Sequence, residues 1–296
     1  MKKKTNLNGL LKAASVASVL TAILLIGVKG IAYLITGSVS ILSSLFDSVQ
    51  DFMTSAVNYA AVKHSIQPAD KEHRFGHGKA EGIGSLIQGV IIFGAAFFLF
   101  KESLIRFFET EPIKDISFGV WITVFSIIIT IVLVRFQSYV IKKTNSLSIK
   151  ADQAHYTGDI LMNVGVIISM LAAYYFELYV IDALFGIGVA VYLFVVVFGV
   201  AKEAIAMLMD TELDDSVRSD IEKEVLSYKE VQGISDLKTR KSGGVVFIQF
   251  CAQMDESLTL KKAHDIADLI EEGIQKKYEG AQIIIHLEPA LTKDKK

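Results

Sequence analysis

Six largely apolar stretches, each longer than 20 residues, fill the first 208 positions of this chain, and no other feature restricts its fold as tightly. They run at roughly 10–35, 39–62, 82–108, 116–141, 150–175 and 180–207. A bilayer core is spanned by about 20 apolar residues in a helix. Inside lipid every backbone polar group must find its partner within the segment, which favours helix over open strand. Run length and this requirement together predict six transmembrane helices. The hydrophobic share of 52%, the 3 prolines and a mean hydropathy of +0.45 agree, with the apolar excess confined to these positions.

The first run follows Lys2, Lys3 and Lys4. It is longer than a secretory signal core and reads as a retained first helix. Orientation comes from basic residues in the short loops. Lys63, Lys71, Arg74 and Lys79 lie between the second and third runs, and Lys142, Lys143 and Lys150 between the fourth and fifth. The opposite side has Lys114 among Glu109, Glu111 and Asp115, then only Glu177 and Asp182. Both termini are therefore expected in the cytoplasm. The net charge of -2 averages two unlike halves, and no basic face or nucleic-acid motif is present. The single cysteine, Cys251, excludes an intrachain disulfide and a Cys-only zinc cluster.

The second and fifth runs are the least hydrophobic because they carry paired polar residues. Asp47 and Asp51 stand one helical turn apart, and so do His155 and Asp159. Residues at i and i+4 share a helix face, so each pair aims two ligating groups the same way. An acid at a membrane helix centre costs about 2.5–3.5 kcal/mol on insertion scales, which a structural role seldom justifies. Apart from Lys150 at the first position of the fifth, neither run contains a Lys or Arg to neutralise its acids. Three carboxylates and one imidazole suit a four-coordinate divalent metal, and the imidazole moves preference from manganese or magnesium toward zinc, iron or cobalt. Protons compete for the same lone pairs, so proton-for-metal exchange is chemically natural.

Two further groups stand out. In Pro68–Glu81, Asp70, His73 and His77 are spaced for a compact surface metal site, with Gly76 and Gly78 allowing tight turns. The same spacing equally fits a solvated polar loop with incidental histidines. From about Asp210 onward the chain turns charged and soluble. Apolar spacing predicts a helix over 215–230, strands over 233–240 and 245–253, a helix over 259–278 and a strand over 283–287. The order αββαβ gives an open-faced α+β sandwich of metallochaperone (ferredoxin-like) type, whose small sheet leaves one face for dimerisation or docking. His264 begins the second helix there, while His286 and Glu288 share a strand face, with Cys251 on a neighbouring strand. Cys251 also fits a small buried hydrophobe. The glycines Gly82, Gly84, Gly89 and Gly94 of the third run, with Gly186 and Gly188 of the sixth, are expected to let helices pack closely.

With these residues in view, the chain resembles the cation diffusion facilitator family over nearly its full length, and most resembles its bacterial zinc/iron efflux branch (FieF/YiiP type). The resemblance rests on Ser43–Asp51, the loop Pro68–Glu81, His155–Asp159 and Ile284–Pro289. It implies a homodimer in the inner membrane that exchanges cytoplasmic metal for external protons by alternating access. Residues 1–208 would form the transport domain and 209–296 a cytoplasmic metal-binding and dimerisation domain. Asp47, Asp51, His155 and Asp159 would bind the transported metal, and Asp70, His73 and His77 a loop metal. Lys79 and Asp210 would form an interlocking charge pair at the dimer interface. Zn2+ would be substrate and a structural or regulatory ligand as well. The cytoplasmic site departs from the family: Ser235 and Cys251 replace two histidines, and Glu288 stands for an aspartate, leaving His264, His286, Glu288 and Cys251 for a single metal.

An intramembrane metalloprotease needs a motif such as His-Glu-x-x-His, which is absent, and no ATP-binding Gly-rich loop is present either. The expected function is divalent transition-metal efflux, zinc before ferrous iron or cadmium. The alternative is a membrane metal sensor without transport.

Overall fold

The apolar runs form long helices. The computed structural model describes residues 2–37, 39–108, 119–176, 178 and 180–290. The acidic third-to-fourth connection, the start of the fourth expected span at 116–118 and Glu177 lie outside these residues. The chain divides into two units, 1–205 and 206–296. The helices are α1 (Lys2–Thr36), α2 (Val39–Ser65), α3 (Ala80–Phe108), α4 (Gly119–Thr144), α5 (Leu147–Phe176) and α6 (Val180–Leu208). By length and composition, α1, α3, α4 and α6 can cross a membrane. The two that fall short, α2 and α5, carry the candidate ligands.

Much of their polarity is buried within the helices. Ser48, Asp51, Thr54, Ser55 and Asn58 of α2 are buried, as are Asp152 and His155 of α5. Helix α2 packs on α1, α3 and α5, while α4 packs on α1 and α5. Close approach depends on missing side chains at two places. A Cβ on Gly84 would lie 2.1 Å from the Ala61 Cβ, and one on Gly186 would lie 2.0 Å from the Ser103 Oγ. Gly94 and Gly188 meet nothing within 4 Å, so the expected close packing is needed at only part of the glycine set.

The start of α5 is fixed by polar contacts. The Ser146 hydroxyl accepts from the Ile149 amide at 3.3 Å. The buried Glu81 carboxylate at the head of α3 accepts from the Ser148 amide at 3.2 Å and from the Ser146 hydroxyl. A carboxylate at a helix N-terminus satisfies free amides and complements the helix dipole. Helix α3 thus sets the register of α5, and with it the height of His155 and Asp159.

The second unit contains α7 (Asp215–Val225), β1 (Val231–Ser242), β2 (Val245–Met254), α8 (Leu260–Lys277) and β3 (Gln282–Pro289). Strand β1 pairs antiparallel with β2 through a turn at Gly243, whose φ is +56°. Strand β3 pairs parallel with β2, as a strand returning through a helical crossover must. Ile221, Val225, Ile270 and Ile274 of the helices share one core with Ile248, Phe250, Ala252 and Met254 of β2. The alternate residues Gln249, Cys251 and Gln253 lie on the other face, opposite Ile284, His286 and Glu288 in register. Ile284 is 58% exposed there, so one sheet face is bare in this chain. The fold is therefore a helical N-terminal domain joined to a small α+β domain. Helix α7 ends at Val225, sooner than its apolar spacing suggested, because the chain turns through Tyr228 to begin β1 at Val231.

Candidate metal centres

Among the described residues, two groups of His and acid side chains are close enough to hold a metal ion. The first joins α2 to α5. His155 Nε2 lies 3.1 Å from Asp51 Oδ1 and 3.8 Å from Asp159 Oδ2. Ligands about 2.0–2.1 Å from a tetrahedral zinc stand roughly 3.3 Å from one another. The observed spacings bracket that value, so a small shift would seat an ion between the three atoms. Asp51 and His155 are buried, and the Asp159 Oδ2 atom is buried without a hydrogen-bond partner. Asp47 does not join the three. It lines the same cavity of about 430 Å³ one turn away on α2, because a helical turn rises 5.4 Å.

That cavity extends from the cluster past Phe98, Leu99 and Glu102 on α3 and Asn163 on α5. These lie toward the helix ends remote from the loop 66–79. On the other side of the cluster is a buried polar layer. Asp152 accepts from Ser18 Oγ at 2.6 Å and from Gln137 Nε2 at 2.7 Å. Tyr156 donates to the Ser18 carbonyl at 3.1 Å and shares a hydrogen bond with Ser55 at 2.8 Å. Helices α1, α2, α4 and α5 are tied together there, which closes that side.

The lack of a cation within the second run, and of one past Lys150 in the fifth, did not leave the acids without one nearby. Lys29, from α1, lines the same cavity and is buried. Its Nζ donates to the Ser44 carbonyl at 3.0 Å and to Ser48 Oγ at 2.8 Å. It lies within electrostatic reach of Asp51, Asp47 and Asp159. A lysine deep inside the first apolar run, 17 residues past Lys12 near its start, was the available signal for it. Asp152, three residues before His155, was likewise legible as an intramembrane acid.

The second group is a loop built around Asp70. Its Oδ1 accepts from the Glu72 amide at 2.9 Å and the His73 amide at 2.6 Å. These hydrogen bonds, with His73 first, hold the carboxyl below the usual carboxylate range. His77 Nε2 lies 3.3 Å from Asp70 Oδ2, and His73 Nδ1 lies 3.5 Å from Oδ1. His77 Nδ1 is 3.2 Å from the Pro68 carbonyl, which can only accept. Nδ1 therefore carries a proton, which leaves Nε2, turned toward Asp70, as the atom to ligate a metal. Gly76, at φ +81°, returns the chain toward His77, and its amide bonds to the His73 carbonyl at 2.9 Å.

The third set is not gathered among the described residues. Cys251 and His286 are register partners on the bare face, and His286 Nε2 lies 3.8 Å from Glu288 Oε1. His264 is exposed on α8, which packs on the core side, and faces Asp268 at 3.3 Å. Burial, then the Glu288 charge, raises the Cys251 thiol above its ordinary pKa. Asp210 pairs with Arg240 at 3.0 Å within the second unit, whereas Lys79 belongs to the first.

A model of the cation efflux transmembrane domain matches residues 15–209, and a model of the cation efflux protein cytoplasmic domain matches residues 213–290. The chain belongs to the cation efflux family. The cation-efflux pump FieF of Yersinia enterocolitica is 40% identical over 280 residues, covering 95% of this chain and 93% of that one. The FieF pump of Salmonella paratyphi A gives the same identity and coverage. A solved metal-bound C-terminal domain of the CzcD transporter from Thermotoga maritima aligns at 20% identity and a TM-score of 0.26. It covers 28% of this chain and 100% of that one, a score too low to carry an argument. The cation efflux family is a family of membrane transporters, not enzymes, and its cytoplasmic part is a dimerisation domain.

Proposed function

We propose that this chain exports a divalent transition-metal cation, zinc before ferrous iron or cadmium, in exchange for protons. In this reading it works as a homodimer in the bacterial inner membrane, with six spans per subunit and both termini in the cytoplasm. Residues 1–208 transport, and residues 209–296 dimerise and hold regulatory metal. The observation that carries the reading is the buried contact of Asp51, His155 and Asp159 across two helices of a membrane domain. The His155–Asp51 hydrogen bond to an ionised carboxylate requires a proton on Nε2. That atom is also the metal ligand, so metal and proton compete for it: a site that enters the cycle as imidazolium gives up one proton when metal loads and regains it when metal leaves, the metal-bound ring being neutral. Asp47 would complete four-coordination by a rotamer change within the shared cavity.

With the termini inside, the cavity opens to the extracytoplasmic side, and the Asp152–Tyr156 layer closes the cytoplasmic side. The geometry thus suits an outward-facing step of alternating access. The loop ligands Asp70, His73 and His77 would hold a second, structural metal on the cytoplasmic side. Lys79 and Asp210 would form the interlocking charge pair at the dimer interface that the family resemblance implies.

The test is metal uptake by proteoliposomes under an imposed pH gradient, comparing zinc, ferrous iron and manganese with an Asp51→Ala control. Gradient-driven uptake that the variant loses supports the exchanger. Metal binding with no ion movement under any gradient would make the chain a sensor.

A further inference from the structure

Three carboxylates line the cavity, Asp47, Asp51 and Asp159, and the contacts of Asp51 and Asp159 are with the His155 ring, which is uncharged when it ligates a metal. Glu102 also lines it but is paired with Arg106 at 3.4 Å. With neutral His155, three carboxylates alone would carry a formal charge of minus three, one more than a divalent ion can balance. The buried ammonium of Lys29 lowers that to minus two. We propose that Lys29 is a resident counter-cation that matches the site to a doubly charged cargo and weakens its grip enough for release. This inference rests on the reading of the cluster as the transport site.

The placement supports this role in three ways. Lys29 Nζ is fixed by two oxygens of α2, Ser44 O and Ser48 Oγ, so the charge is held in place and not free to swing to solvent. Those residues share a face with Asp47 and Asp51, at spacings of three and four along the helix. They also lie N-terminal to Asp51, on the side toward which the cavity opens. A bound divalent ion therefore feels a fixed positive charge along its way out. In a low-dielectric surround such a charge acts strongly over several ångströms, while exposed charges are screened. When no metal is bound, the same charge reduces repulsion among the acids.

A structural role alone predicts the opposite sign. Losing a clamp between α1 and α2 would loosen the site and weaken metal binding, or leave it unchanged. Losing a repelling charge tightens it. The experiment measures zinc affinity by calorimetry on the purified dimer and zinc transport in proteoliposomes. It uses Lys29→Gln and Lys29→Met, two independent ways to remove the charge, Lys29→Arg to keep it, and Asp51→Ala as a control. The expected result is zinc affinity raised about tenfold or more in both neutral variants. Their maximal transport rate falls, and Lys29→Arg stays within about threefold of the parent. Unchanged or weakened affinity in both neutral variants would overturn the inference. If Asp51→Ala still binds and transports zinc, the site assignment itself has failed, which is a separate outcome from a silent Lys29.

Discussion

The two candidate metal sites of the first unit use the same chemistry, carboxylate and imidazole, but assemble it in opposite ways. Asp70, His73 and His77 come from eight consecutive residues, are largely exposed, and are held by their own backbone. Asp51, His155 and Asp159 come from helices 104 residues apart in sequence and meet only because α2 and α5 pack together. A locally built site keeps its geometry whatever the helices do. A site shared by two helices is made and unmade as they shift. Under the proposed function, the difference suits the loop to structural metal and the buried group to moving metal.

The largest expected effect comes from breaking the shared site. Asp51→Ala or Asp159→Ala should abolish zinc transport, by more than about 100-fold. Partners that merely orient a ligand already contribute about 10–100-fold. The dimer should still assemble, since both residues belong to the first unit and the dimerisation domain is the second. Transport assays beside size-exclusion chromatography check both halves, and full transport by either variant would remove the site from the pathway. Next comes ligand identity. His155→Asp makes the cluster all oxygen, which suits harder ions. Its zinc-over-manganese preference should fall about tenfold in competition uptake. Unchanged selectivity would mean that something other than ligand type filters the cargo.

Periodicity and run length made the six long helices and the αββαβ order legible. The paired residues at i and i+4 pointed to the buried cluster. Lys29 was harder to read, because a lysine in an apolar run reveals its target only once packing brings α1 against α2. Asp47 shows the converse: spacing puts it on the right face but cannot say whether its carboxylate reaches the ion. In the second unit, sequence joins His264 to His286, Glu288 and Cys251 as one chemical set. Which side of a sheet a helix covers is a tertiary decision, and here α8 lies on the core side.

The loop should respond more mildly. His77→Ala should remove one metal per chain, measured by elemental analysis, and slow transport by less than about tenfold, because the proposed function keeps the loop off the ion's route. Acid should act with a defined sign. The lowered Asp70 pKa means its loop hydrogen bonds contribute stability that is fully present above the ordinary carboxylate value of 3.8. That stability is lost only as the pH falls through the lowered one. Metal loss on mild acidification must therefore come from protonation of imidazole, with Asp70 still ionised. Metal-loss curves that move in Asp70→Asn to match those of His77→Ala would contradict this order.

The smallest effect should come from His264. Its imidazole faces Asp268 on the exposed side of α8, while Cys251, His286 and Glu288 lie across the sheet on the bare face. A ligand separated from its partners by the thickness of a sheet cannot share their ion within one chain. The Cys251 thiol, raised above its ordinary pKa by burial and by Glu288, must also give up a proton to bind metal, so binding there should strengthen as pH rises. His286→Ala should therefore lower the metal content of the purified dimer more than His264→Ala does. If His264→Ala costs as much as His286→Ala, the ion is held by residues from two chains, with the bare sheet face as the surface that brings them together.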